Sequence, residues 1–337
     1  MIYGCAGPRL AADEARFFRD ADPYGFILFQ RNCETPDQIR ALVGDLRASV
    51  GRAGSPVLID QEGGRVARLK PPHWRAAPPA ARFGELARIS LAEARRAVRL
   101  NARLLAAELI DLGIDVDCAP VLDVPVEGSH DIIGDRAFAR DPALVADLGR
   151  EAIEGFLDGG VLPVVKHVPG HGRATADSHL DLPVVETDRA TLEATDFLPF
   201  RRLHDAPWAM TAHVLYRTLD PDAATSVSPR VVGEVIRGHI GFDGVLLSDD
   251  LSMKALSGGF GERARAVLAA GCDLALHCDG DRAEMTAIAE AVEGLSDQAL
   301  KRLARAEARR RSARDWDRAA MLDELAALLD RRRAPHS

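Results

Sequence analysis

The sequence contains no apolar run near the roughly 18 residues that a helix needs to span a bilayer, so no membrane segment is expected. Its first residues, Met1-Ile2-Tyr3-Gly4-Cys5, lack the cationic stretch followed by an apolar one that marks a secretory leader, and a cytoplasmic location is expected. A basic surplus is missing too: 43 Lys and Arg face 51 Asp and Glu, a net charge of −8. Nucleic-acid binders present a basic face, so that class is set aside. Cysteine is scarce and odd in number, five in all, and Cys5, Cys118, Cys272 and Cys278 sit inside apolar, strand-like runs. That placement predicts buried free thiols, which suit a reducing compartment. Internal repeats and low-complexity linkers are absent as well, which predicts a single domain; 337 residues are enough for a substantial core.

What the chain does contain is an alternation of short apolar runs with helix-like segments. The strand candidates are residues 1–6, 25–30, 56–60, 114–120, 161–167, 207–214, 244–249 and 272–278. Runs such as Phe26-Ile27-Leu28-Phe29 are near-continuously apolar, as in strands buried on both faces of a parallel sheet. Among the helices, one opens with Thr35 as N-cap, Pro36 at the first position and Gln38 completing a capping box. It places Ile39, Leu42, Val43 and Leu46 on one face. Another covers about 92–112 and stops at Gly113. Eight strands, each followed by a helix, predict an α/β fold, a (β/α)8 TIM-type barrel over residues 1–295. A doubly wound sheet would call for a switch point, and no glycine-rich phosphate loop marks one. Residues 296–337 are Arg-rich with interspersed acids and are expected to form a helical C-terminal extension packed on the barrel, not an anion-binding tail.

Catalytic groups of such barrels come from the C-terminal strand ends and the loops that follow. Polar residues gather at those places. Asp60-Gln61-Glu62-Gly63-Gly64-Arg65 follows the third strand, with Arg68 close behind, and Asp123 and Gly134-Asp135-Arg136 follow the fourth. The fifth ends in Lys166-His167-Val168-Pro169-Gly170-His171-Gly172 and leads to Asp177-Ser178-His179; the seventh ends in Ser248-Asp249-Asp250-Leu251-Ser252-Met253. Singly, each has a plain structural reading: Asp60 or Asp249 as a helix cap, His171 as part of a tight turn, Asp249-Asp250 as a solvated pair. Their gathering at one rim favours a site.

Glycoside hydrolysis uses a proton donor to the leaving oxygen and a carboxylate on the other side of the sugar. Asp249 ends an apolar strand that would hold it rigidly. Asp177 and His179, spaced i and i+2, project to one side in extended backbone, so the carboxylate can fix the imidazole tautomer and stabilise its charged form. Arg68, Arg136, Lys166 and His167 are donors suited to hydroxyls and an acetamido carbonyl.

These four motifs, in this order, resemble glycoside hydrolase family 3, and within it the NagZ-type bacterial β-N-acetylhexosaminidases. The stretches Leu112-Gly113-Ile114-Asp115, Ala119-Pro120-Val121-Leu122-Asp123-Val124 and Asp196-Phe197-Leu198-Pro199-Phe200 add to the likeness, which covers about residues 1–280. The resemblance implies a retaining, exo-acting hydrolase with Asp249 as nucleophile, His179 as acid/base and Asp177 as its partner. It further implies that Asp60, Arg68, Arg136, Lys166 and His167 hold a terminal N-acetylglucosamine. The implied substrate is N-acetylglucosamine linked β-1,4 to 1,6-anhydro-N-acetylmuramic acid, with or without its peptide, in peptidoglycan recycling. No cofactor, metal, membrane or nucleic-acid partner is implied, and a monomer is expected. Two departures stand out: Val168 replaces the phenylalanine of many members, and the second α/β domain of many members is not expected here.

Three other readings compete. His167, His171, His179, His213 and His277 with Asp249 could ligate a metal in a barrel hydrolase, although no His-x-His pair lies on an early strand. A phosphorylase of the same family is possible, since a histidine avoids the repulsion that a glutamate offers phosphate. The Asp249-Asp250 pair also resembles that of substrate-assisted hexosaminidases.

Overall fold

Eight short parallel strands close on one another in chain order: β1 (Ile2–Gly4), β2 (Gly25–Leu28), β3 (Val57–Ile59), β4 (Val116–Asp117), β5 (Leu162–Val168), β6 (Trp208–Thr211), β7 (Val245–Asp250) and β8 (Leu274–His277). Pairing of Ile2 with both Gly25 and Leu276 seals the barrel. The structure is a computed structural model that describes residues 1–174, 178, 181–312 and 316–330. Each strand coincides with one of the eight apolar runs expected from sequence, and all of β1 to β6 and β8 is buried. Helices cover the outside, so the strand residues are apolar on both faces.

Local chemistry sets the helix boundaries. Thr35 accepts the Gln38 amide and Pro36 opens the helix Pro36–Ser49, whose Ile39, Leu42, Val43 and Leu46 are buried. The expected capping box is half formed: the Gln38 side chain accepts the amide of Glu34 instead of that of Thr35, and donates to the Pro8 and Asn32 carbonyls. Those carbonyls draw it toward the barrel mouth. The helix Leu91–Ile110 begins at a Ser90 cap, and the chain reverses at Gly113, whose φ of +80° a glycine adopts without strain. All five cysteines are buried and free.

Beyond residue 296, helices cover Asp297–Glu307 and Arg318–Asp330, so the C-terminal segment is not one continuous helix. Its arginines turn inward to carboxylates of the barrel layer. Arg302 meets Asp243 and Asp273, Arg311 meets Asp158 and Glu154, and Arg318 meets Asp111. No helix among the described residues is long and apolar enough to cross a membrane.

Candidate active site

A cleft of about 350 Å³ opens where the strands end. Asp60, Arg68, Arg136, Lys166, His167 and Asp249 line it, so six of the eight residues expected at the site share one cavity. The other two, Asp177 and His179, lie outside the described residues; Ser178 between them also lines the cleft.

Each side chain arrives by a traceable route. After Asp60 the chain makes a small antiparallel ribbon, Gln61–Gly63 against Val66–Ala67. The turn runs through Gly63 and Gly64, with φ of +101° and +58°, where a Cβ would strike Pro78 or Pro79. Gln61 is fully buried and braces the ribbon: its Oε1 accepts the amides of Arg68 and Leu69, and its own amide donates to Asp117. Arg68 is thereby folded back onto Asp60, Nη2 to Oδ2 at 2.9 Å. In β5, alternation would send Lys166 and His167 to opposite faces. Register with β6 shifts between Lys166 and Val168, and both side chains reach the cleft. A second register shift separates Leu247 from Asp250 where β7 meets β8, at the position of Asp249.

The floor of the cleft is a chain of ion pairs. Lys166 Nζ lies 2.8 Å from Asp60 Oδ1 and 2.7 Å from Glu62 Oε1, and Glu62 takes a bidentate grip on Arg136 at 2.9 Å. Burial opposes the charge on Asp60, but Lys166 and Arg68 hold its carboxyl far below the usual carboxylate range. Glu62 is depressed in the same way by Lys166 and Arg136 against its burial. Lys166 also loses solvent, yet the two carboxylates raise it well above an ordinary lysine. The floor therefore stays ionised, preorganised and poor in spare donors. Lys166 spends two of its three N–H groups on carboxylates, and Arg136 gives a further bond to the Ile132 carbonyl at 3.0 Å. That leaves one N–H group on Lys166 and two on Arg136 for the cleft.

Asp123, fully buried, organises the other side. One carboxylate oxygen receives His167 Nδ1–H at 2.7 Å and the other accepts the amides of His167 and His171 at 3.2 and 2.7 Å, which leaves His167 Nε2 for the cleft. Its burial is outweighed by His167, and its carboxyl sits low. Asp249, too, is held below the usual range despite burial, by His213, His167, the Asp250 amide and Lys166. A low-lying, ionised carboxylate at the mouth is what a nucleophile requires.

Glu62, held ionised between two cations, is not a proton donor near pH 7. His171 is driven down to about 4, chiefly by burial and by His167, so it is neutral near pH 7. Of the histidines read as metal ligands, His179 lies outside the described residues and the other four turn to separate partners: His167 to Asp123, His171 to Ser178, His213 to Ser226 and the Asp250 carbonyl, and His277 to Glu284. Among the described residues no three His, Cys, Asp or Glu side chains come together in a way that could hold a metal ion. Glu62, Asp123, Gln61 and Asp117 were not assigned to the site from sequence. Glu62, Gln61 and Asp123 stood in the polar clusters at the strand ends, which was their only signal; Asp117, inside the fourth strand run, gave none.

The glycosyl hydrolase family 3 N-terminal domain matches residues 8–309. The β-hexosaminidase of Alkalilimnicola ehrlichii is 41% identical over 286 residues, covering 83% of this chain and 80% of that protein. The β-hexosaminidase of Methylococcus capsulatus is 40% identical over 321 residues, 93% of each. Among solved structures, NagZ from Neisseria gonorrhoeae in complex with N-trifluoroacetyl-D-glucosamine superposes with a TM-score of 0.88 at 31% identity, covering 98% of both chains. A family 3 β-N-acetylglucosaminidase from Paenibacillus sp. gives 0.84 at 32% identity, covering 98% of this chain and 66% of that one. The barrel and these likenesses are those of a glycoside hydrolase. The chain belongs to glycosyl hydrolase family 3.

Proposed function

We propose that the protein is an exo-acting, retaining β-N-acetylhexosaminidase that releases terminal N-acetylglucosamine. The observation that carries this reading is Asp249, an ionised carboxylate ending β7, set in one cavity with Asp60, Arg68, Arg136, Lys166 and His167. In this reading Asp249 attacks the anomeric carbon, the glycosidic C–O bond breaks, and His179 gives its proton to the departing oxygen. A water then loses a proton to His179 and displaces Asp249, restoring both groups. Asp177 would keep the imidazole in the right tautomer. Asp60 and the spare N–H groups of Arg68, Arg136 and Lys166, with His167, would hold the sugar hydroxyls and acetamido group. A cleft of about 350 Å³ suits one sugar unit, which supports exo action.

The β-hexosaminidase names of the relatives, and the N-acylglucosamine bound in the Neisseria NagZ, support the sugar assignment. We further propose N-acetylglucosaminyl-1,6-anhydro-N-acetylmuramic acid and its peptides as substrates, in a cytoplasmic monomer serving peptidoglycan recycling. Following the disaccharide by proton NMR tests the reaction. Free β-N-acetylglucosamine should appear first, with or without phosphate. First release of the α-anomer would exclude retention, and a phosphate requirement with a sugar 1-phosphate product would make the enzyme a phosphorylase.

A further inference from the structure

Asp249 stands where β7 leaves the regular ladder. Pairing with β6 ends at Leu247 on Met210, and on the β8 side the register slips between Leu247 and Asp250. The backbone of Asp249 and Asp250 is held in other ways. The Asp249 amide donates to Thr211 Oγ1 at 3.4 Å, and the Asp250 amide donates to Asp249 Oδ1 at 2.9 Å. The Asp250 carbonyl accepts from the Met253 amide at 3.2 Å and from His213 Nε2 at 3.0 Å. His213 is fully buried, two residues past β6, and its Nδ1 lies 2.6 Å from Ser226 Oγ. Ser226 is fully buried as well, in a turn tied back to the same loop by the Thr225 amide on the Val214 carbonyl at 2.8 Å.

A carbonyl oxygen only accepts, so the His213 proton belongs on Nε2. Nδ1 then accepts, and the Ser226 hydroxyl is its donor. Burial, above all, lowers the imidazole from its ordinary value, which keeps it neutral near pH 7 and leaves this one arrangement. We propose that His213 is a positioning residue for the nucleophile: Ser226 fixes its tautomer, and its Nε2–H holds the residue whose amide grips Asp249 Oδ1. This rests on the assignment of Asp249 above. His213 does not line the cleft, so its part is played through the backbone and not through the sugar. A displacement of about 1 Å in a reacting group can cost on the order of 100-fold in rate, and the His213 bond is the one side-chain hold on the Asp250 carbonyl among the described residues.

The test is inactivation by a 5-fluoro N-acetylglucosaminyl fluoride, whose rate constant reports the attack alone, beside calorimetric binding of N-acetylglucosamine. It compares the full-length protein with its Ser226→Ala, His213→Leu and His213→Gln variants. His213→Leu should slow inactivation by roughly 100-fold while N-acetylglucosamine binding is unchanged. His213→Gln, which can return an N–H to the Asp250 carbonyl, should recover most of the rate. Ser226→Ala leaves the ring in place but frees its tautomer, and should show a smaller loss of the same kind; it carries the test if His213→Leu does not fold. Full inactivation rate in Ser226→Ala or in folded His213→Leu overturns the positioning role, as does loss of binding and inactivation together in every variant. Wild-type labelling on Asp249 in those cases leaves the nucleophile standing. A wild-type label on another residue, or none, overturns the assignment of Asp249 itself.

Discussion

Asp249 and Asp250 are adjacent in the chain but differ in what holds them. Asp249 Oδ1 accepts the Asp250 amide at 2.9 Å, whereas Asp250 Oδ1 accepts the amides of Ser252 and Cys278 at 3.1 Å each, and Oδ2 takes the Ser252 hydroxyl. Asp250 thus braces the end of β7 against the end of β8, which leaves Asp249 the better placed of the two for the nucleophilic role proposed above. Asp249→Asn should cut turnover by at least about 10³-fold, the scale expected on removing a nucleophile, while the melting temperature holds. Asp250→Asn should do the reverse, costing about 1–2 kcal/mol of stability and less turnover. Kinetics and thermal unfolding of the two variants check this pair.

Glu62 sits between Lys166 and Arg136, nearly buried, and its loss leaves two cations facing each other. Glu62→Gln is expected to destabilise the fold by about 3 kcal/mol near pH 7, as for a broken buried pair. The folded-state pKa of Glu62 is depressed. Its contribution is therefore complete above the unfolded value, near pH 4, and disappears as pH falls through the folded value. Urea unfolding at falling pH should show the gap between wild type and Glu62→Gln closing; a gap constant down to pH 3 contradicts the ion-pair account.

Asp117 behaves oppositely. It is fully buried, Oδ1 accepts the Gln61 amide, and Oδ2 has no partner among the described residues. Burial, above all, raises it to about 8. A group whose folded value is raised stabilises fully below its unfolded pKa and loses that contribution as pH climbs toward the folded one. Asp117→Asn mimics the protonated acid, so relative to wild type it should gain stability steadily between about pH 4 and pH 8. A pH-independent difference would mean that Asp117 is ionised throughout.

Sugar recognition gives a fourth expectation. If Arg68, Arg136, Lys166 and His167 meet an acetamido sugar, aryl β-N-acetylglucosaminides should exceed aryl β-glucosides in kcat/KM by about 10² or more. A buried polar site rejects an analogue that leaves its groups unpaired. Equal kcat/KM values would leave a family 3 glycosidase of other specificity.

Much of this was legible in the chain itself. Near-continuous apolar runs located all eight strands, because a parallel barrel buries both strand faces and leaves no room for polar alternation. Chemistry clustered at the strand ends pointed to the six side chains that line the cleft. The supporting groups were less visible. Gln61 and Asp123 act through hydrogen bonds that exist only once β3, β4 and β5 lie side by side, across 44 to 56 residues of sequence. The occupancy of Lys166 and Arg136 was hidden for the same reason, since Glu62 meets both only after the Gly63–Gly64 turn folds the ribbon over the mouth. In the C-terminal segment the direction of the side chains was not legible. Its arginines are positioned by carboxylates far away in sequence.

The role proposed for Asp249 requires a covalent bond between its carboxylate and the sugar. Incubating the enzyme with a 5-fluoro N-acetylglucosaminyl fluoride, followed by proteolysis and mass spectrometry, tests it directly. Stoichiometric inactivation is expected, with a single labelled peptide that carries the sugar on Asp249. A label on Asp250 or Glu62, or turnover through a trappable oxazoline with no labelled protein, would contradict it.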